Sequence, residues 1–132
     1  MFNAIDISTS GLVAQRVRSN TLAMNIAMAD VVDSPDGGPY QRRSVIFSAG
    51  KSENDRSGQG VHVSEIHKEQ VYRWEYDPKH PYANKDGYVK LPGINPLVEM
   101  VNHMEAARAY EANITAIEVS KAMLNSSLRL LA

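Results

Sequence analysis

The last third of the chain has apolar positions spaced alternately three and four residues apart. From Pro96 to the C-terminus the sequence has no further glycine or proline. The stripe comprises Met100, His103, Ala107, Tyr110, Ile114, Ile117, Lys121, Leu124, Leu128 and Leu131. Such spacing averages 3.5 residues per turn and is typical of a coiled-coil seam. A helix of this length extends ~50 Å, so we expect a second long helix to pack along it.

Residues 4–30 are predicted to form that second helix. One stripe follows the same spacing and contains Ile5, Ser8, Leu12, Gln15, Ser19, Leu22, Ile26 and Ala29, and a second apolar stripe beside it contains Val13, Val17, Met24 and Met28. A helix that is apolar on two adjoining faces has to contact more than one neighbour. Gly11 weakens the first turns, and the preceding Ser-Thr-Ser could cap a restart of the helix there. The helix ends in the turn-forming segment 33–39, which contains Pro35 and Pro39.

The middle of the chain predicts short strands. Segments 44–47, 61–66, 71–76 and 88–91 are rich in residues that favour strands, residues 49–60 read as a loose polar loop, and residues 77–87 as a rigid loop with two prolines. We therefore predict an α+β fold in which two long terminal helices form an antiparallel coiled-coil hairpin around a small central β-rich insert. The expected divisions are 1–33 for the N-terminal helix, 34–94 for the insert and 95–132 for the C-terminal helix.

Composition narrows the possible functions. The chain has 132 residues, a net charge of −1 and no cysteine, so nothing indicates a nucleic-acid surface, an anionic-membrane surface, a disulfide or a thiolate site. The N-terminus lacks the basic start and apolar run of a secretory signal, and no apolar stretch is long enough to span a membrane. If the protein leaves the cytoplasm, we expect it to do so by an unusual route.

The polar residues do not form a convincing catalytic or metal site. His62 and His67 lack a usual ligand spacing, and Asp77 beside His80 fits a turn cap better than an acid/base pair. The basic pair at 42 and 43 is expected to be solvated, or to meet an acidic patch on a partner. His103 and Lys121 could lie at the edge of the helix seam or could fix its register. We therefore predict no catalytic residue, no cofactor and no metal.

The apolar stripes indicate a subunit of a larger assembly. A lone hairpin over so small an insert would leave much of the second stripe in water, and exposed apolar surface on this scale usually marks an interaction site. Two other hypotheses remain: a soluble hairpin adaptor or chaperone that binds a client helix, and a hydrolase that uses Asp77 and His80. The second would need a pocket that so small an insert could hardly form.

Several motifs resemble one known family. Residues 7–15 (ISTSGLVAQ) followed by Asn25-Ile26-Ala27 resemble the N-terminal signature of the bacterial flagellar axial proteins, the rod, hook and hook-associated subunits. The DGGPY of residues 36–40 with the following Arg-Arg, the YDP-x-HP-x-A of 76–83 and the EA-x-RAYEAN of 105–113 are similar to one branch, the proximal rod proteins. The resemblance covers nearly the whole chain, omitting mainly the loop 49–60.

The resemblance implies a structural protein and not an enzyme. Such proteins are exported without a cleaved signal peptide by the flagellar type III apparatus. They polymerise helically into the periplasmic rod of the basal body and transmit motor torque. Their partners are further copies and other rod subunits, their termini are often disordered before assembly, and another small rod component of the family is the nearest alternative. The expected interface residues are Leu12, Leu22, Asn25, Ile26, Tyr110, Asn113, Ile114, Ile117, Leu124 and Leu128, with Asn25 and Asn113 as polar register contacts.

Overall fold

The computed structural model describes residues 2–50 and 59–131. Along the chain, two long helices flank four strands. The elements are α1 (Phe2–Ala27), β1 (Arg42–Ala49), β2 (Val61–Glu69), β3 (Tyr72–Tyr76), β4 (Tyr88–Pro92) and α2 (Pro96–Leu131). The strands form two separate two-stranded sheets, β1 with β2 and β3 with β4. The predicted α+β class and the predicted strand positions are confirmed, and most strands extend a few residues beyond the predicted segments.

Helix α2 begins where the sequence predicts. The side-chain oxygen of Asn95 accepts a hydrogen bond of 3.0 Å from the backbone N–H of Leu97. Asn95 is therefore the N-cap, and Pro96 takes the first helical position, where its missing N–H has no consequence. With no glycine or proline after it, the helix continues for 36 residues.

Helix α1 runs without interruption through Gly11, so the predicted restart is wrong. The hydroxyls of Thr9 and Ser10 donate to the carbonyls of Ile5 and Ile7 within the same helix and do not cap a new one. The helices approach closely at this glycine, since a Cβ added to it would lie 2.9 Å from Nδ2 of Asn113 in α2. Gly11 is thus a contact point between two helices.

The two helices pack against each other in antiparallel directions. Asn25 of α1 bonds to Glu99 of α2, Ser19 bonds to His103, and Gly11 faces Asn113. Residue numbers therefore rise along one helix as they fall along the other. Continued at this register, the start of α1 lies opposite about Ser120 to Ala122, so the last two or three turns of α2 extend past it.

The β1–β2 hairpin lies along α1. Its antiparallel register runs from Arg42 opposite Glu69 to Ala49 opposite Val61, with an irregularity after Ile46. The hydroxyl of Ser10 accepts a bond of 3.0 Å from the backbone N–H of Val61, which ties the far end of the hairpin to the helix. Most of the predicted loop 49–60 lies outside the described residues.

The β3–β4 hairpin lies beside the segment that connects α1 to β1, because Arg73 bonds to Asp30 at 2.6 Å and Tyr72 bonds to Gln41 at 3.5 Å. The backbone N–H of Gly93, just after β4, donates to the carbonyl of Val71 at 2.7 Å, and Ala29, Tyr40 and Ile94 form a small buried core nearby. In the loop between the strands, the Asp77 side chain accepts from the backbone N–H of Lys79 at 3.1 Å. Asp77 therefore closes a turn, as expected from the sequence.

Candidate assembly surface and its polar junction

Asn25 is fully buried and makes four hydrogen bonds. Its Nδ2 donates to the Arg43 carbonyl at 2.8 Å and to Oε2 of Glu99 at 2.9 Å. Its Oδ1 accepts from the Tyr40 hydroxyl at 3.1 Å and from the Arg43 backbone N–H at 3.0 Å. The side chain thus satisfies both donors and both acceptors of its amide. It joins α1 to β1, to α2 and to the loop that connects α1 to β1.

Arg42 bridges two carboxylates from different elements. Its Nε and one terminal nitrogen bond to Oε1 of Glu99 at 2.9 and 2.8 Å, and its other terminal nitrogen bonds to both oxygens of Glu69 at 2.9 and 3.0 Å. Glu99 is 2% exposed, and a buried carboxylate requires such partners. We call Asn25, Tyr40, Arg42, Glu69 and Glu99 the polar junction.

The arginine pair does not behave as predicted. Arg42 and Arg43 are half-buried, and both form ion pairs within the chain, Arg43 with Asp36 at 3.7 Å. The prediction of a solvated basic spot is therefore wrong. The physical reason is that β1 begins beside the contact between the helices, where the Arg42 side chain reaches the buried Glu99 of α2 and the Arg43 backbone bonds to Asn25 of α1.

The junction shifts the protonation equilibria of its members. Burial opposes the charge on Arg42, but hydrogen bonds to Glu99 and Glu69 raise the pKa of Arg42. Burial raises the pKa of Tyr40, so its hydroxyl stays protonated and able to donate to Asn25. Burial also acts on Glu69, yet bonds from Ser44 and Arg42 hold the pKa of Glu69 below its usual value. The hydrogen bonds between Arg42 and Glu69 therefore favour the charged form of both side chains.

Small and polar residues, with few large apolar ones, line the contact between the helices. Ala14 and Ala106 are almost completely buried, and the less exposed stripe of α2 is Glu99, Asn102, His103, Ala106, Ala109, Asn113, Ile117, Ser120, Leu124 and Ser127. Over most of its length this stripe lies one residue before the predicted seam. Small side chains let the backbones approach, and most large apolar residues of the predicted seam, such as Met100, Ile114 and Leu128, lie to the side.

The ten predicted interface residues divide between buried and exposed positions. Leu22 and Asn25 are buried, Leu12, Ile26, Asn113, Ile117 and Leu124 are half-buried, and Tyr110, Ile114 and Leu128 are exposed. Their role in assembly stays a prediction. Asn113 donates to the Ala109 carbonyl of its own helix while it faces Gly11. Of the two polar seam residues, His103 bonds to the Ser19 hydroxyl at 2.9 Å, whereas Lys121 is exposed.

Both helices carry large apolar side chains that contact little within the chain. The large apolar residues of the two helices that are at least 40% exposed are Ile7, Val13, Met24, Leu97, Val98, Met100, Val101, Met104, Val119, Met123, Leu128, Leu130 and Leu131. Isolated exposed apolar residues are normal, but a long series on one pair of helices marks an interaction surface. We call these residues the exposed helix surface.

Sequence reasoning missed Glu99 and misinterpreted the roles of Arg42 and Gly11. Glu99 directly precedes Met100 in a helical pattern, and its burial depends on an arginine 57 residues away in sequence. The only available signal was an acidic residue close to the buried side of the helix, together with an Arg-Arg pair elsewhere. Such a signal does not identify a pair.

Other types of site have little support in the described parts of the chain. No group of three or more histidine, aspartate or glutamate residues within 2–50 and 59–131 lies close enough to hold a metal ion. Asp77 and His80 line an open cleft with Asp30, Arg73 and Glu75. The Nδ1 of His80 accepts a backbone bond from Tyr82 at 3.2 Å. Among the described residues, no helix is both long and apolar enough to cross a bilayer.

Comparison with known proteins places the chain in a family. Residues 85–130 match the family model of the flagellar basal body rod FlgEFG protein C-terminal region. The flagellar basal-body rod protein FlgC of Aquifex aeolicus is 44% identical over 92% of this chain and 90% of its own length. That of Borreliella burgdorferi is 38% identical over 99% and 97%, and that of Salmonella typhimurium is 39% identical over 98% and 97%. The chain therefore belongs to the family of flagellar basal-body rod proteins of the FlgC type.

Proposed function

We propose that the chain is a structural subunit that polymerises helically in the periplasmic rod of the flagellum and transmits motor torque. Residues 1–33 and 95–132 would form a coiled-coil inner domain, and residues 34–94 would lie outside it. One observation carries the proposal: most large apolar side chains of α1 and α2 lie on the exposed helix surface, while the contact between the chain's own helices consists mostly of small and polar residues.

The exposed helix surface would be covered by neighbouring subunits. Burying apolar surface contributes about 25 cal/mol per Å², so a long series of half-exposed leucine, valine and methionine side chains supplies a strong drive to associate. A helical polymer needs an interface between two different patches that does not close into a ring. The two helices offer such patches because large apolar residues flank the intramolecular contact along α1 and α2.

The polar junction suits a rod subunit that transmits torque. It connects α1, β1, β2 and α2 through hydrogen bonds and ion pairs of 2.8–3.1 Å. Charge-assisted bonds of this kind restrict geometry more strongly than apolar contacts do. We expect the junction to fix the angle between the helix pair and the β1–β2 hairpin, so that force on one is passed to the other.

The proposed partners follow from this role. They are further copies of this chain, other rod subunits and the flagellar export apparatus, with export occurring without a cleaved signal peptide. The names of the relatives support the rod as the location. We propose no catalytic activity and no cofactor.

Substitution at Ile117 tests the proposal in cells that lack their own copy of the gene. Ile117 is half-buried on the less exposed stripe of α2, and Ile117→Asp would place a charge there. We expect the variant to be synthesised at normal levels, to be absent from isolated basal bodies and to leave cells non-motile. Ile117→Val keeps the site apolar and should restore swimming. Normal motility of Ile117→Asp would contradict the proposal.

A further inference from the structure

An apolar groove of about 300 Å³ lies between the end of α1 and the start of α2. It is lined by Ala23, Ile26, Met100, His103 and Met104. His103 already bonds to Ser19, so the groove presents little besides carbon and sulfur. Two methionines on its edge give it a surface that adapts to the shape of an apolar partner. None of its lining residues belongs to the polar junction.

The opposite end of the helix pair has an apolar projection. Beyond about Met123, α2 extends past the start of α1, and a nine-residue helical segment is about 13 Å long. Leu128 is 56% exposed, Leu130 88% and Leu131 86%. The chain thus carries an apolar groove at one end and an apolar helix end at the other.

We propose that the groove binds the C-terminal helix end of a neighbouring rod subunit. The inference rests on the proposed function, and it adds the partner segment and the contact residues. The partner's chemistry is that of this chain's own α2: a helix end with several exposed leucines. Residues 85–130, which include nearly all of α2, match a model built on the C-terminal regions of rod proteins, so neighbouring subunits of the family carry a comparable helix.

The arrangement gives a contact that repeats along an axis. A groove at one end and a projection at the other form a head-to-tail interface, and such interfaces extend openly when the rotation does not close. The contact cannot form within one chain. Ala23 lies beside about Met100 in the antiparallel register, and Leu130 is 30 residues farther along α2, about 45 Å away.

Photo-crosslinking from Ala23 tests the inference. Ala23 is exposed, so benzoylphenylalanine can replace it without entering the core. Basal bodies isolated from cells that carry this variant are illuminated, and the crosslinked peptides are mapped. We expect them to map to the last turns of the C-terminal helix of a rod subunit. Crosslinks to any other segment, or none in chains recovered from rods, would overturn the inference. Absence of the chain from rods would instead count against the proposed function.

Two matched substitutions sharpen the result. Met104→Asp puts a charge in the groove, and Ile66→Asp makes the same change at an exposed apolar residue of β2. With the crosslink yield measured per incorporated chain, Met104→Asp should lower it about tenfold, the effect of losing one buried apolar side chain. Ile66→Asp should leave the yield unchanged. Equal yields in the two variants would show that the groove does not hold the partner helix.

Discussion

Replacing Asn25 by alanine is expected to destabilise the fold because it removes the centre of the polar junction. The substitution deletes four hydrogen bonds of 2.8–3.1 Å from a side chain with no exposed surface. It leaves the Tyr40 hydroxyl, one oxygen of Glu99 and both backbone groups of Arg43 without these partners. Tyr40 and Glu99 are themselves buried, so water cannot easily replace the lost amide.

The magnitude follows from the burial of each partner. A buried polar group left unpaired costs about 1–3 kcal/mol, and an ordinary hydrogen bond contributes about 0.5–1.5 kcal/mol. Glu99 keeps its bonds to Arg42, and Arg43 is only half-buried. The loss for each unpaired group therefore lies toward the lower end of its range. For all the groups together we expect the free energy of unfolding to fall by about 3–5 kcal/mol. The higher helix propensity of alanine offsets at most about 0.7 kcal/mol of this.

Asn20→Ala is the matched control, since it makes the same change on an exposed face of the same helix. There only the propensity term acts, so this variant should be more stable by a few tenths of a kcal/mol. Urea unfolding of each purified chain, followed by circular dichroism, measures the difference in free energy if the dependence on urea is unchanged. Equal unfolding free energies for Asn25→Ala and Asn20→Ala would refute the account of the junction.

Two further predictions concern the helix contact and the junction's pH dependence. Gly11→Ala should lower the unfolding free energy despite a gain in helix propensity of about 1 kcal/mol, because its Cβ would lie 2.9 Å from Asn113. In an Asn113→Ala background the same substitution should raise the unfolding free energy measured in urea. A higher unfolding free energy in both backgrounds would contradict the close approach. Bonds from Ser44 and Arg42 hold the pKa of Glu69 below its ordinary 4.5 against the effect of burial, so its stabilising contribution is complete above that pH and is lost as the pH falls through the lower folded-state value. The fall in unfolding free energy between about pH 5 and pH 3 should therefore be shallower in Glu69→Gln, and an identical slope would contradict the pairing.

Local signals made the secondary structure predictable from sequence. Asn95 and Pro96 are a cap and a first-turn residue that need no tertiary partner, and the absence of later glycine or proline lets α2 continue. The strand segments carry β-branched and aromatic residues between turn formers, which is why β1 to β4 appear where expected. Gly11 was misread because a glycine in a helix has the same sequence signature whether it weakens the helix or admits a neighbour.

The helix contact and the junction depend on information that is not local. A three/four spacing fits several neighbouring stripes on the same helix. Here the stripe with Ala106 and Asn113 faces α1, while the larger Tyr110 and Ile114 lie beside it. Hydrophobicity alone favours the second stripe, but close approach at Gly11 favours the first. The burial of Glu99 likewise depends on Arg42, a partner that only the folded chain brings near.

Hydrogen exchange along α2, compared between the free chain and isolated basal bodies, tests most directly whether neighbouring subunits cover the exposed helix surface. In the free chain we expect protection near residues 96–106, where the polar junction holds the helix, and fast exchange over 123–131, where α2 extends past α1 and apolar residues such as Leu128 and Leu130 are exposed. In basal bodies the second segment should become protected, because neighbouring subunits would cover it. Equal protection of residues 123–131 in the dilute free chain and in the rod would contradict the claim that this surface is completed by assembly.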